Sequence, residues 1–494
     1  MAYCGYVTTL KNVRKHSNAD RLQLADCFGN TVCVNLDYYE GQIGVYFPTD
    51  GQLSVEFCEY NNLVRKKNEN GENVGGYMDP DKRNVKCIKL RGEKSDGLFL
   101  PLHCLDFCFE DGNAEAHLKV GDTISVVNGH SVCQKYIPRS NRRGDSGKSG
   151  NKTRKKSAPI APLFMEHADT SQLAYNLGDF RAGDQIEITL KMHGTSQRTA
   201  YLPVHDGYVG PGGAHSIANR TGIWRFIKPP KKLVEWAEKV RKPTYSWDYV
   251  SGTRRVVLDT YDGGFYGSNE FRKQHHDFFV NKLWMGETVY YEVVGFTHTG
   301  APIMGQCENA KLNDKAFVKK YGKTTTFSYG CAPDGLGEVV EYWDKEKIHP
   351  AVYQKIPISD IYVYRMTMTN EDGNVVEYTP DFMRYRCEQM GVKTVPVFWK
   401  GIIPDHPGST ADDTISAGEW VRNKAEQYYE GEDPIGKTHV REGVVVRIVN
   451  RPKFTAYKHK NFEFKCLEGI VKADAETPDI EEVQELEVEY EAEN

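Results

Sequence analysis

One stretch constrains the fold of this chain more than any other. Gln185 to Lys191 alternates polar and apolar residues, and Met192-His193-Gly194-Thr195-Ser196 follows it. The alternation has the period of a half-buried strand, so Ile186, Ile188 and Leu190 belong to one face and Glu187, Thr189 and Lys191 to the other. A lysine therefore ends a strand on its polar face, and Gly194 lets the backbone of the next turn come close to a ligand. That placement suits a lysine that attacks phosphorus, provided nearby cations or burial keep its amine neutral. Taken alone, the stretch also reads as a surface lysine before a turn. What separates the two readings lies elsewhere in the chain.

The 494 residues suffice for two or more domains, and 39% hydrophobic with 27% charged residues is ordinary for a globular protein. No apolar run reaches membrane length and no signal-peptide pattern opens the sequence, so the expectation is a cytoplasmic protein without a membrane partner. Of the 12 cysteines, eight precede residue 134, and none forms a Cys-x-x-Cys pair. Cys104 and Cys108 lack a second ligand pair for zinc, which points to reduced thiols. The net charge of -5 hides an asymmetry: residues 134–158 carry nine cations against Asp145, while 474–494 carry ten acids and no base. Without those ten acids the remainder moves from -5 to +5, so the composition is compatible with a polyanionic partner.

Taken in order, residues 1–133 read as short strands (Met1–Leu10, Leu22–Phe28, Thr31–Asn35, Gly44–Phe47, Val85–Leu90, Leu98–Pro101, Thr123–Val127) with turns at Gly29-Asn30, Asp50-Gly51 and Asp111-Gly112-Asn113. Short strands at this spacing suggest a small barrel. Residues 134–158 read as a flexible basic linker. From 159 to 473 strands mix with helices, and 474–494 is an acidic tail. Leu233, Trp236, Ala237 and Val240 form a helical stripe; Thr379-Pro380 opens a second helix that Gly391 closes; Ser416 and Glu419 make a capping box for a third. Val289–Gly295, Ile361–Met368, Gly443–Val449 and Phe462–Leu467 are expected to build the sheets between them. The fold class is therefore α+β.

Several segments resemble known families. His16-Ser17-Asn18-Ala19-Asp20-Arg21-Leu22 and Lys89-Leu90-Arg91-Gly92-Glu93-Lys94-Ser95-Asp96-Gly97-Leu98 look like the OB-fold modules of tRNA-binding proteins. Further on, stretches fall in the order found in the covalent nucleotidyltransferase superfamily, and RNA ligases in particular. Lys191-Met192-His193-Gly194-Thr195-Ser196 resembles the nucleophile motif in its His-Gly form. Ser251-Gly252-Thr253-Arg254-Arg255 resembles the next, whose arginine contacts ribose or a 5′-phosphate. Tyr290-Tyr291-Glu292-Val293-Val294-Gly295 resembles the third, with Glu292 as the ribose-contacting acid, and Ile361-Tyr362-Val363-Tyr364-Arg365 the one whose aromatic ring stacks on adenine. Glu442-Gly443-Val444-Val445-Val446-Arg447 resembles the motif whose glutamate serves the metal, and Tyr457-Lys458-His459-Lys460-Asn461 the last, with two lysines reaching phosphates.

The OB-like module in front of the transferase region is similar to the arrangement of Deinococcus-type RNA ligases. The resemblance implies an N-terminal OB-like β-barrel followed by a nucleotidyltransferase domain of antiparallel sheets with flanking helices. It also implies an ATP-dependent RNA ligase: Lys191 takes AMP from ATP, AMP passes to a 5′-phosphate, and a 3′-hydroxyl displaces it. The implied catalytic residue is Lys191, and the implied nucleotide-binding set is His193, Gly194, Arg254, Arg255, Glu292, Tyr364, Lys458 and Lys460. Glu442 is the implied ligand of Mg²⁺ or Mn²⁺, and the partners are ATP and nicked or broken RNA-containing nucleic acid, bound by a monomer.

The chemistry of the residues agrees. Displacing pyrophosphate needs a neutral amine, in-line geometry and cations on the developing charge. Lys458 and Lys460, two apart in a strand, point the same way. Two features depart from the pattern: many RNA ligases place an acid directly before the nucleophile, where this chain has Leu190, which leaves Glu187 as a stand-in for adenine recognition. Lys465, in what reads as a strand, rivals Lys458 and Lys460. Two other functions compete. One is an mRNA-capping guanylyltransferase with the same covalent lysine, whose OB domain typically follows the catalytic one. The other is a nucleic-acid-binding protein with a degenerate transferase domain, against which the full set of polar residues counts.

Overall fold

The computed structural model describes residues 3–66, 75–137, 158–167, 170–210, 230–258, 268–335, 356–407 and 415–473, with 222, 226, 260, 261 and 266 as isolated positions. Most of the expected basic linker 134–158, and the whole expected tail 474–494, lie outside the described residues.

Short strands separated by tight turns make up the first part of the chain. Thr123–Ile124, Gly5–Thr9, Ile43–Phe47 and Leu98–Pro101 form an antiparallel sheet in that order. Lys11–Lys15, Leu22–Cys27 and Asn30–Asn35 form a second, and Cys87–Leu90 pairs with Glu93–Asp96. Two-residue hairpin loops of type I′ need positive φ at both central positions, so a glycine is favoured at one of them. Phe28-Gly29 (φ 51° and 79°) and Arg91-Gly92 (48° and 96°) meet that need. The first turn is thus one residue earlier than the expected Gly29-Asn30, because Asn30 already pairs with Cys27.

Among the described residues no path of hydrogen-bonded strands closes on itself, so the expected barrel is present as separate small sheets. The chain leaves the first sheet at Leu10 and enters the second through a register shift between Lys11 and Arg14, which interrupts pairing between them. Val7, Val45, Phe47, Leu53 and Phe57 centre one apolar cluster here, and Ala25, Val32, Val34 and Tyr46 belong to another.

Beyond residue 170 two larger, mostly antiparallel sheets carry the fold. The first has five strands, in the order Ser171–Gln172, Thr455–Lys460, Gly443–Ile448, Gln185–Lys191 and Val397–Ile402. The second runs Val257–Leu258, Lys242–Gly252, Thr195–Val209, Glu287–Gly295, Ser359–Thr369 and Val375–Glu377, with Lys393–Thr394 also paired to Ser359–Thr369. The three residues Met192 to Gly194 carry the chain from one sheet to the other. Five of the helices are Lys231–Val240, Glu270–Phe279, Pro380–Met390, Ala417–Glu426 and Phe462–Ala473. Thr379 caps the third and Gly391 closes it at φ 69°, while the capping box of Ser416 and Glu419 starts the fourth.

Phe462–Leu467 is a correction. Its alternation reads as a strand, yet it opens the helix Phe462–Ala473. The Asn461 side chain accepts from the Glu463 N–H (2.9 Å) and its carbonyl from the Lys465 N–H (3.0 Å), which starts the first turn. Phe464 and Leu467 then bury on one helical face.

Charged and apolar contacts join the first part of the chain to the second. Lys465 pairs with Asp96 (2.5 Å), Lys94 with Glu430 (2.9 Å), and Lys89 with Asp314 (2.5 Å). The Cys87 and Cys466 sulfurs lie 3.5 Å apart as free thiols, and Tyr175 stacks on Tyr6 at 4.5 Å between centroids. Cys104 and Cys108 are buried free thiols as well, and no group of three metal-ligating side chains occurs among the described residues. No helix among them is long and apolar enough to cross a membrane.

Candidate active site

The strand Gln185–Lys191 sits between Gly443–Ile448 and Val397–Ile402, with Lys191 opposite Gly443. Ile186 and Ile188 pack into one core and Leu190 into another, leaving Glu187, Thr189 and Lys191 on the face that lines a cavity of about 1100 Å³. Register extends this face across the sheet. Val445 and Arg447 come from Gly443–Ile448, and Lys458 and Lys460 from Thr455–Lys460, where Lys458 faces Val445 and Lys460 faces Gly443.

Glu442 immediately precedes its strand and is 2% exposed. Its Oε1 lies 2.7 Å from the Lys191 ammonium and 3.4 Å from that of Lys460. Lys460 is also held by both oxygens of Glu468 (2.9 and 2.8 Å). The Oε2 of Glu442 is buried and accepts no hydrogen bond, and His193 Nδ1 is 3.8 Å from it. A buried carboxylate oxygen without a donor is costly unless a cation or a ligand satisfies it.

Gly194 faces the second sheet, where a β-carbon would collide with the Val293 carbonyl oxygen and crowd Glu292. The close approach sets Ser196 opposite Glu292 on Glu287–Gly295. The His193 backbone N–H donates to the Tyr329 hydroxyl (2.7 Å), and its ring meets Phe327 and Phe464 edge-on. Burial pushes His193 down to about 4, against the opposing pull of Glu442, so the imidazole is neutral at pH 7. Tyr364 sits in a bulge: Tyr290 pairs with Arg365 and Tyr291 with Val363, which leaves Tyr364 unopposed and re-aimed. Arg254 and Arg255 follow the strand Lys242–Gly252 and reach the same space.

All ten residues singled out in the sequence (Lys191, His193, Gly194, Arg254, Arg255, Glu292, Tyr364, Glu442, Lys458, Lys460) therefore line one cavity. Glu187 and Lys465 line the same cavity but are paired within the protein. Glu187 is clamped by Arg384 through two hydrogen bonds (3.0 and 2.7 Å), so its carboxylate is committed to a structural pair. Lys465 lies on a helix and is paired with Asp96. Sequence reasoning missed His167, Tyr329 and Glu468, none of which sits in a periodic or motif-like pattern. Residues from the first part of the chain, including Tyr6, Tyr46 and Asp96, complete the cavity wall.

Comparison with solved structures finds Naegleria gruberi RNA ligase repeatedly. The structure of that ligase with PPi is 14% identical, has a TM-score of 0.47, and aligns over 93% of this chain and 97% of its own. A lysine-to-methionine mutant of it with AMP and Mn is 14% identical at a TM-score of 0.48, over 93% and 97% of the two chains. A lysine-to-alanine mutant with ATP and Mn is 13% identical at 0.47, over 93% and 98%. No protein-family model matches the chain, and neither does any curated protein.

Proposed function

We propose that this protein is an ATP-dependent RNA ligase that seals 5′-phosphate/3′-hydroxyl breaks through a lysyl-AMP on Lys191, with an OB-like N-terminal region holding the nucleic acid. The observation that carries this reading is the triad at the junction of the two sheets. There a strand-end lysine amine and a second lysine meet one buried carboxylate, at 2.7 and 3.4 Å, in a cavity that Lys458, two arginines, Glu292 and a bulged tyrosine also line.

In the first step the Lys191 ammonium gives one proton to water, its nitrogen lone pair forms a bond to the α-phosphorus, the bond from that phosphorus to pyrophosphate breaks, and the second proton leaves with the pyrophosphate. Glu442 Oε1 orients the amine, while Lys458 and Lys460 offset charge on the phosphate oxygens. In the second, a 5′-phosphate oxygen displaces Lys191 from the adenylate. In the third, the 3′-hydroxyl attacks that 5′-phosphorus and AMP leaves. The unpartnered Oε2 of Glu442 would hold a hard divalent cation, Mg²⁺ or Mn²⁺. When bound it supplies positive charge to the transferring phosphate.

The test is labelling with α-labelled ATP or GTP, followed by detergent denaturation at neutral to alkaline pH, for the full chain and for Lys191→Ala. The expected result is a denaturation-resistant adduct with ATP, stable to alkali and labile to acid as a P–N bond is, that the variant loses entirely while still unfolding cooperatively. An adduct that survives in Lys191→Ala rejects this nucleophile, and labelling by GTP alone turns the reading into the capping-type transferase. Nicked duplexes that differ in which strand is RNA then test sealing.

A further inference from the structure

His167 has no role in the reading above, yet it lines the same cavity. Its ring lies 5.1 Å from that of Tyr364, at 57°, and 5.4 Å from that of Tyr290. Its backbone N–H donates to the Arg254 carbonyl (3.2 Å), which ties this stretch to the arginine loop. On one side of the ring, Arg365 Nη1 is 3.2 Å from Nδ1.

That contact decides the tautomer. A guanidinium has five N–H donors and no acceptor, so Nδ1 must accept, and the single proton of the neutral ring belongs to Nε2. Arg365 is itself locked: its Nε donates to both oxygens of Glu377 (3.0 and 3.1 Å), and its guanidinium packs on Tyr290 and Phe454 at 4.6 Å each. Burial, and then the charges of Arg365, Arg254 and Arg198, hold His167 well below the usual imidazole range, so the ring stays neutral at pH 7. Nothing among the described residues accepts a hydrogen bond from Nε2.

The cavity thus presents a neutral N–H donor of fixed direction beside the aromatic ring over which a base would lie. On the strand that carries Lys191, Glu187 holds Arg384, and the position before Lys191 is Leu190. We propose that His167 donates from Nε2 to an acceptor ring nitrogen of the purine nucleotide bound against Tyr364, which makes it a specificity-determining residue. The inference rests on the nucleotidyl-transfer reading.

Its test is calorimetric binding of ATP and of 1-deaza-, 3-deaza- and 7-deaza-ATP, each of which replaces one ring nitrogen by CH. The full chain, His167→Phe and His167→Gln are compared. Wild type should bind one of the three analogues about tenfold more weakly than ATP, the scale of one buried hydrogen bond. His167→Phe should bind ATP about tenfold more weakly and no longer distinguish that analogue, while His167→Gln, which keeps a donor, should recover part of the difference. The proposal is overturned if wild type treats all three analogues like ATP, or if His167→Phe discriminates among them as wild type does. Adduct formation with ATP is scored separately. Its absence would reject the transferase reading, whereas the binding pattern alone decides the role of His167.

Discussion

At the scale of single residues, the site is a problem of charge placed where water is scarce. Lys191 and Lys460 share one oxygen of a carboxylate that is 2% exposed, so neither ammonium is bare and the carboxylate is not isolated. Removing one preorganised electrostatic group from such a site slows the chemical step by about 10²-fold or more. Glu442→Ala and Lys460→Ala should each lower single-turnover adenylylation by at least that factor, and near-normal rates for both would sink the constellation. Several histidines held down by burial contribute to the response to acid, His193, His275 and His459 among them. His193 and His275 are pushed down to about 4, and His459 to about 3, each by burial first. In the unfolded chain they protonate near their ordinary value of about 6.5. Between pH 6.5 and 4 the unfolded state therefore binds more protons, and stability must fall as pH drops through that window. A thermal midpoint that stays level from pH 7 to pH 4.5 contradicts this account.

At the scale of elements, the helix Phe462–Ala473 shows how a short cap redirects an ambiguous pattern. Phe462, Phe464 and Cys466 alternate with polar residues as in a strand, but Asn461 satisfies the first helical N–H groups and the chain winds. The winding matters to the site because Glu468, two turns on, grips Lys460. Asn461→Ala should cost about 1 kcal/mol of stability, the usual worth of a cap. Because it loosens the helix that positions Lys460, it should also slow adenylylation more than an Ala substitution at the exposed Glu388. Equal rates for the two variants would separate the helix from the chemistry. Tyr364 is the counterpart in a sheet. Its strand is legible from the run Ile361–Met368, but the bulge that aims the ring appears only once the register against Glu287–Gly295 is set.

For the whole molecule, the decisive contact is between distant parts of the chain. Lys465 is 17% exposed by its side chain and Asp96 5%, and they pair across 369 positions of sequence. Removing one partner of a buried pair leaves an uncompensated charge, which costs about 3 kcal/mol, whereas replacing both by apolar groups is often neutral. Asp96→Ala should lower the urea midpoint markedly, and the double variant Asp96→Ala/Lys465→Met should recover most of the loss. Additive losses in that cycle would show that the two residues act independently.

The sequence by itself determined the local half of this protein. Alternation placed Lys191 at the polar end of a strand, Gly29 marked one hairpin to within a residue, and Thr379, Gly391 and Ser416 with Glu419 marked helix ends. Those signals work because side-chain period, φ and capping are set within a few residues. The order of the motif-like stretches also named ten residues that line one cavity. What only the tertiary structure decided was partnership. Glu187 and Lys465 carry charges that suit a ligand, yet Arg384 and Asp96 claim them, and no local pattern announces either. His167 is invisible in the sequence for the same reason. Its proton is assigned by Arg365, 198 positions away, and an imidazole tautomer is a property of its neighbours.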